Sequence, residues 1–409
     1  MGIDWAEAKH DVCLQAAGST KRACFQLEPT PEAIDAWATT LRTRFTGHPV
    51  AVCLELNKGP LVCALRKYDF PILFPRNPLT LARYRAACTP SRAKDDPTDA
   101  ELQLALLLTP RAKLQPLQPH SPTMRALEQL VAQRRRVVGD KVRLTKRLTS
   151  TLKNDFPHVL QWFPDQDPPI FCDFRSRGPT LKAAQLARRS TLATFFRDHH
   201  GRSADVGAQR LHAIKAAPPW TTDAGVIAPN ALLVQALVNQ LRGTLEAIET
   251  FDNALAQRAQ SHPDFPLCQA LPGAGPVFAS RLLVAFGEPR ARSATAAAWQ
   301  KYAGIAPVTA RSGKQAWVPW RLQGPKCLRQ PCVEWAAESI RHAFWARVYY
   351  QQQRDKGKAH QAAVRALAFT WIRILYRCWP DHTLYDESVY LNALNNRGSS
   401  LIHNLAQGA

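Results

Sequence analysis

A long apolar stripe limits this chain most. Between Met124 and Lys153, Leu130, Val137 and Leu144 recur every seven residues, flanked by Leu127, Val131, Val138, Leu148 and Leu152. A stripe with that period is helical and needs a cover, so it predicts a helical hairpin or a coiled coil. A solvated helix in an ordinary bundle is the plainer alternative. The remaining positions are strongly basic: Arg134, Arg135, Arg136, Lys141, Arg143, Lys146 and Arg147. A second amphipathic series, Leu233, Leu237, Leu241, Leu245, Ile248, Phe251 and Leu255, is placed to return beside the first as an antiparallel partner. Pro263 and Pro266 close it. Residues 156–230 carry prolines and short helical pieces with no role legible in them.

The first hundred residues follow another rhythm. Asp11–Ala17 and Ala23–Leu27 predict a β-hairpin around Gly18-Ser19-Thr20-Lys21, and Pro31–Arg44 a helix capped by Thr30. Val50–Leu56 and Pro71–Phe74 read as short buried strands, and Asp99–Leu108 as a helix. Hairpin, helix, strand, helix, strand, helix is the order of an α/β domain of the ribonuclease-H type. Three regions are expected: an α/β domain over 1–112, a helical linker region over 113–262, and a mainly α domain over 263–409.

Charge narrows the partners. The chain has 53 Lys and Arg against 32 Asp and Glu, a net charge of +21. That balance points to a polyanion, nucleic acid before anionic membrane, because the charges are spread along the chain rather than gathered on one amphipathic anchor. No apolar run is expected to reach membrane-spanning length, the longest candidate being Leu102–Leu108, and Asp4 and Glu7 break up any signal peptide. A cytoplasmic protein is expected. Its 10 cysteines are scattered without a CxxC pair. A zinc site at Cys327, Cys332 and His342 is a weaker reading than reduced thiols.

Carboxylates at the ends of apolar strands need a reason in so basic a chain. Asp4 sits in the first strand, Glu55 ends Val50–Leu54, and Asp96 and Asp99 lie three apart at the head of a helix, sharing a face. Such a set can hold two Mg²⁺ ions, which clamp the attacking and leaving oxygens of a phosphodiester. Singly, Asp96 or Asp99 reads as a helix cap and Asp4 as a surface residue.

Three further stretches carry chemistry. Leu271-Pro272-Gly273-Ala274-Gly275-Pro276-Val277 enters a helix like a helix-hairpin-helix turn, with Gly273 and Gly275 letting backbone N–H groups meet a phosphate. Ser312 lies between basic residues, Arg311 and Lys314, with Arg321 beyond. On residue chemistry alone it reads as a residue of a flexible turn, since no activating arrangement accompanies it. From Val333 to Trp379 aromatics alternate with arginines, either to stack bases or as a core with arginines facing out.

Together these motifs resemble the DEDD transposases of the insertion sequence one-ten family, relatives of the Piv-type DNA invertases. The resemblance runs through Gly2-Ile3-Asp4-Trp5-Ala6, Glu55, Phe74-Pro75-Arg76-Asn77-Pro78, Lys94-Asp95-Asp96-Pro97-Thr98-Asp99-Ala100, Leu271–Pro276, Tyr302-Ala303-Gly304-Ile305-Ala306-Pro307 and Ser312-Gly313. It implies a RuvC-like N-terminal domain, a coiled-coil linker and a helical transposase domain. It also implies Mg²⁺, with Mn²⁺ as a substitute, on Asp4, Glu55, Asp96 and Asp99. Ser312 then becomes a nucleophile that forms a covalent phosphoserine link to DNA. A structured bridge RNA from the element's non-coding end is implied as guide to donor and target DNA, and a dimer or tetramer with a composite site as the working form. The place of action implied is the bacterial nucleoid.

Three departures mark this chain. Met1 lies only three residues before Asp4, so the first strand is short and a start further upstream is expected. The family's Glu-Ala-Thr-Gly is Glu55-Leu56-Asn57-Lys58-Gly59 here, and its Lys-Thr-Asp is Lys94-Asp95-Asp96. The reading is an RNA-guided recombinase. A metal-dependent junction resolvase using water and an inactive nucleic-acid binder are its rivals.

Overall fold

The computed structural model describes the chain except for residues 56, 89–95, 110–114, 119, 167–168, 200–203, 291–292, 319–323, 400 and 403–409. The chain divides into two compact units, Met1–Pro119 and His120–Ala409. In the first unit the order is β1 (Gly2–Asp4), β2 (His10–Gln15), β3 (Arg22–Leu27), α1 (Pro31–Arg44), β4 (Val50–Leu54), α2 (Pro60–Leu65), β5 (Pro71–Pro75), α3 (Pro78–Cys88) and α4 (Asp96–Leu107). The sheet order is β3-β2-β1-β4-β5. β1, β2 and β3 pair antiparallel, whereas β4 lies parallel to β1 and β5 parallel to β4. Parallel neighbours need a crossover, and α1 and α2 supply them.

Alternation assigns the two faces. Ile3, Val12, Leu14, Val52 and Leu54 are buried in one core with Ile34, Leu41, Leu61 and Leu65 of α1 and α2. Cys13, one residue out of phase, packs on the other face with Ala100 and Leu104 of α4. The side chain of Thr30 accepts from the Ala33 N–H at 3.2 Å, so α1 starts where its cap predicts.

The second unit is helical apart from one ribbon among its described residues. It opens with α5 (Pro122–Asp155). Five short helices follow: α6 (His158–Trp162), α7 (Pro169–Arg177), α8 (Leu181–Leu186), α9 (Arg189–His199) and α10 (Ala204–Ala216). α11 (Ala224–Gln260) leads to α12 (Phe265–Gln269), α13 (Pro276–Phe286) and α14 (Ala296–Tyr302). Strands β6 (Ala310–Ser312) and β7 (Gln315–Trp317) precede α15 (Lys326–His342), α16 (Phe344–Asp355), α17 (His360–Cys378) and α18 (Glu387–Asn395).

α5 and α11 run antiparallel. Met124 and Leu127 share a core with Leu255 and Ala259, while Leu144, Leu148 and Leu152 share another with Val234, Leu237, Val238 and Leu241. One helix pair therefore threads two cores. The first includes α12 to α17. The second is rich in phenylalanine, with Phe156 from the end of α5 and Phe163, Phe171, Phe174, Phe195 and Phe196 from the short-helix region. There Arg175, only 1% exposed, donates to the carbonyls of Gly178 and Pro179 at 3.0 and 2.7 Å, with its guanidinium over the Phe156 ring.

One expectation changes. α11 is, by length and composition, long and apolar enough to cross a membrane. Its first 18 residues carry no charge and are broken only by Asn230, Gln235, Asn239 and Gln240; Arg242, Glu246, Glu249 and Asp252 follow them. Its apolar stripe is instead spent on α5 and the two cores. Of the two readings of the aromatic and arginine-rich C-terminal stretch, the core one holds for its largest side chains. Trp335, Trp345 and Trp371 are fully buried, with ring centroids 4.6 Å apart from Trp335 to Trp371 and from Trp345 to Trp371. Their indole N–H groups donate to Pro272 O, Tyr385 Oη and Ser339 Oγ.

Glu288 ties the start of α5 to the segment after α13. Burial raises its carboxyl pKa, but the Ser121 hydroxyl and N–H (2.7 Å), His262 and His120 outweigh it and hold the carboxyl below the usual value. A depressed folded-state pKa gives stability that is present above the unfolded value and lost as pH falls through the folded one. Glu288→Gln should thus flatten the acid limb of stability against pH, read by urea melts between neutral pH and about pH 3. Leu148, fully buried, should cost about 2–5 kcal/mol on replacement by Ala, read by the same melts at neutral pH.

Candidate active-site residues

Asp4 is the last residue of β1, and Glu55 immediately follows β4. The parallel register Gly2↔Cys53, Ile3↔Leu54 brings Asp4 and Glu55 to the same level at the carboxyl ends of neighbouring strands. Both side chains are half-buried. α4 lies against β1 because Gly2 has no side chain: a Cβ there would run into the Ala100 carbonyl and the Leu104 backbone. Asp96 and Asp99 occupy the first turn of that helix, Asp96 half-buried and Asp99 only 2% exposed. The neighbouring Lys94 and Asp95 lie outside the described residues.

Asp99 is held by Arg85 of α3. Arg85 Nε donates to Oδ1 at 2.7 Å, and Nη2 donates to Oδ2. The Arg85 side chain is itself only 14% exposed, so this is a forked pair largely out of water. The four acids offer only oxygen donors, which suits a hard divalent cation, and the buried Asp99 carboxylate already needs a cation to balance it. On donor chemistry the residues fit such an ion. Their oxygens are not drawn into a tight cluster: among the described residues, the one set of three metal-ligating side chains within 4.8 Å of one another is Cys13, Cys24 and Glu101.

That thiol set was not foreseen. Cys13 and Cys24 stand opposite each other across β2 and β3, their sulfurs 2.6 Å apart, with Cys24 Sγ 3.7 Å from Glu101 of α4. The hairpin register was the available signal. Burial and then Cys24 push the Cys13 thiol up to about 12. The set Cys327, Cys332 and His342 does not converge among the described residues: Cys332 is buried, Cys327 exposed, and His342 bonds Glu338 at 3.3 Å.

Ser312 ends β6 and pairs with Gln315 of β7, rather than lying in a flexible loop. Gly313 takes φ +57° and Lys314 completes a two-residue turn, as a tight hairpin needs. Strands of three residues are too short to leave a periodic signal. Alternation puts Ala310, Ser312, Gln315 and Trp317 on one face of the ribbon and Arg311 and Ala316 on the other. The ribbon is exposed almost throughout. The serine's face therefore carries Gln315 and Trp317 and not Arg311, a relation the basic flanking residues concealed. Arg321 lies outside the described residues.

In the glycine turn, Gly273 takes φ +70°, and a Cβ there would meet the His342 ring at 2.6 Å. Gly275 takes φ −57° at the N-cap of α13, with open space around it. Only Gly273 is demanded by conformation, and its close approach is to the protein's own α15. Of the basic residues on α5, Arg134 is turned inward to bond Asp252 of α11, and Arg143 bonds Asp140. Lys141 is half-buried, whereas Arg135, Arg136, Arg143, Lys146 and Arg147 are exposed. Arg311 and Lys314 are exposed on the ribbon.

Two family models match the chain. A transposase model of the IS110 DEDD type covers residues 1–157, and a model described as the transposase IS116/IS110/IS902 family covers 266–351. Together they account for more than half of the chain. Among curated proteins, the "Mini-circle putative transposase for IS117" of Streptomyces coelicolor is 28% identical over 393 residues, covering 94% of this chain and 95% of the relative. The insertion element IS900 uncharacterized 42 kDa protein of Mycobacterium paratuberculosis is 27% identical over 403 residues, covering 94% and 96%. The acids at the sheet end and the exposed serine ribbon lie within the two matched stretches, and the chain belongs to the IS110 family of transposases, enzymes that act on DNA.

Proposed function

We propose that this transposase cuts and rejoins DNA through Asp4, Glu55, Asp96 and Asp99 as holders of Mg²⁺ and Ser312 as nucleophile. The observation that carries the reading is the level register of Asp4 and Glu55 on adjacent parallel strands, under a helix whose first turn holds the other two acids. The strand order β3-β2-β1-β4-β5, antiparallel then parallel, supports a RuvC-like, ribonuclease-H-type domain. The antiparallel α5–α11 pair supports a coiled-coil linker between it and the transposase domain, with the three regions 1–112, 113–262 and 263–409 as functional parts.

When bound, Mg²⁺ neutralises charge building on the scissile phosphate, and Mn²⁺ can take its place. The chain's own residues do the rest. The Ser312 oxygen displaces a deoxyribose oxygen from phosphorus, so one P–O bond replaces another; the proton lost by serine balances that gained by the leaving oxygen. The ribbon offers Ser312 to solvent with Lys314 at its tip. Arg135, Arg136, Lys146 and Arg147 form a basic face for phosphates, and the α12–α13 turn at Gly273 and Gly275 presents the start of α13 as a helix-hairpin-helix-like contact. A bridge RNA is the proposed guide, and a homodimer or homotetramer in the cytoplasm, at the nucleoid, the working form. A composite site between subunits is part of this proposal.

Ser312→Ala should abolish both strand exchange and a denaturant-resistant protein–DNA adduct while DNA binding persists in gel shifts. Adduct-free cleavage at the normal rate would instead assign the attack to water. Asp4→Asn should slow cleavage by about 10²-fold or more in Mg²⁺, measured in single-turnover assays on the element's ends.

A further inference from the structure

We infer that Arg85 is a placeholder cation that occupies Asp99 and must release it for metal to load. The inference rests on the reading of the four acids as metal holders. Asp99 is almost wholly buried, and a bare carboxylate there would be costly. Arg85 answers that cost with two parallel hydrogen bonds, one to each carboxylate oxygen, and both partners are largely removed from water. The fork takes one lone pair on each oxygen, the two that an ion chelated by both oxygens from that side would need.

Competition follows from that geometry. If only the fraction of molecules with Arg85 withdrawn can bind metal through Asp99, the apparent affinity falls by that fraction. Arg85 acts through Asp99, so it is a positioning residue. It keeps the head of α4 in place before metal arrives and sets how readily the ion enters. α3 and α4 together form the device, α3 bringing the cation and α4 the acid.

Loss of the free Mn²⁺ signal in electron paramagnetic resonance titrations of the full chain tests this without reference to activity. Arg85→Gln should bind Mn²⁺ roughly tenfold more tightly than the unaltered protein. Adding Asp99→Asn to that variant should remove the gain. Arg85→Gln should also melt at lower temperature without divalent ions and recover more than the unaltered protein when Mn²⁺ is added. If Arg85→Gln fails to fold, Arg85→Lys, which keeps the charge but loses the fork, should bind with intermediate affinity. Equal affinity in the arginine variants and the unaltered protein, with binding still abolished by Asp4→Asn, would overturn the placeholder and leave the acid reading standing. Undiminished binding in Asp4→Asn would overturn the acid reading, and the placeholder with it.

Discussion

The missing side chain at Gly2 governs how the first unit is assembled. Because no Cβ stands in the way, the backbone of α4 rests directly on β1, and the acids of its first turn are brought toward the strand that carries Asp4. The parallel pairing of β1 with β4 adds Glu55 at the same level. Backbone approach and strand register thus do most of the positioning. Arg85 then resolves the electrostatic cost of burying Asp99. Each layer depends on the one beneath it: a larger residue at position 2 would lift the helix and, with it, two of the four carboxylates.

The second unit solves a different problem. Two helices of 34 and 37 residues cannot each bury an apolar stripe alone, so they bury them against each other and against two separate helical caps. The forked Arg134–Asp252 pair fastens them along the way. The short-helix region over 158–216 is opaque as a string of residues, yet in the fold its phenylalanines close the second core.

Much of this could be read in advance. The hairpin, the Thr30 cap, the short parallel strands and both long helices carry strong local signals of period, cap or turn, and they form where those signals stand. What escaped depends on contacts far apart in sequence or on elements too short for a period. The Arg85–Asp99 fork joins residues fourteen apart on different helices, which no spacing rule announces. The three-residue strands flanking Gly313-Lys314 looked like a loop. The aromatics of α15 to α17 recur at positions compatible with either a core or a stacking surface, and only packing decided that Trp335, Trp345 and Trp371 are core. Cys13 and Cys24 were scattered thiols in the string and face each other in the sheet.

An isolated two-stranded ribbon is marginally ordered in water. The face that Ser312 shares with Trp317 is open, so its own contacts give it little to hold a fixed shape. A surface that covers the indole would also settle the hydroxyl. The order of the ribbon therefore depends on whatever covers Trp317, and the exposed serine is fixed or loose together with the indole beside it.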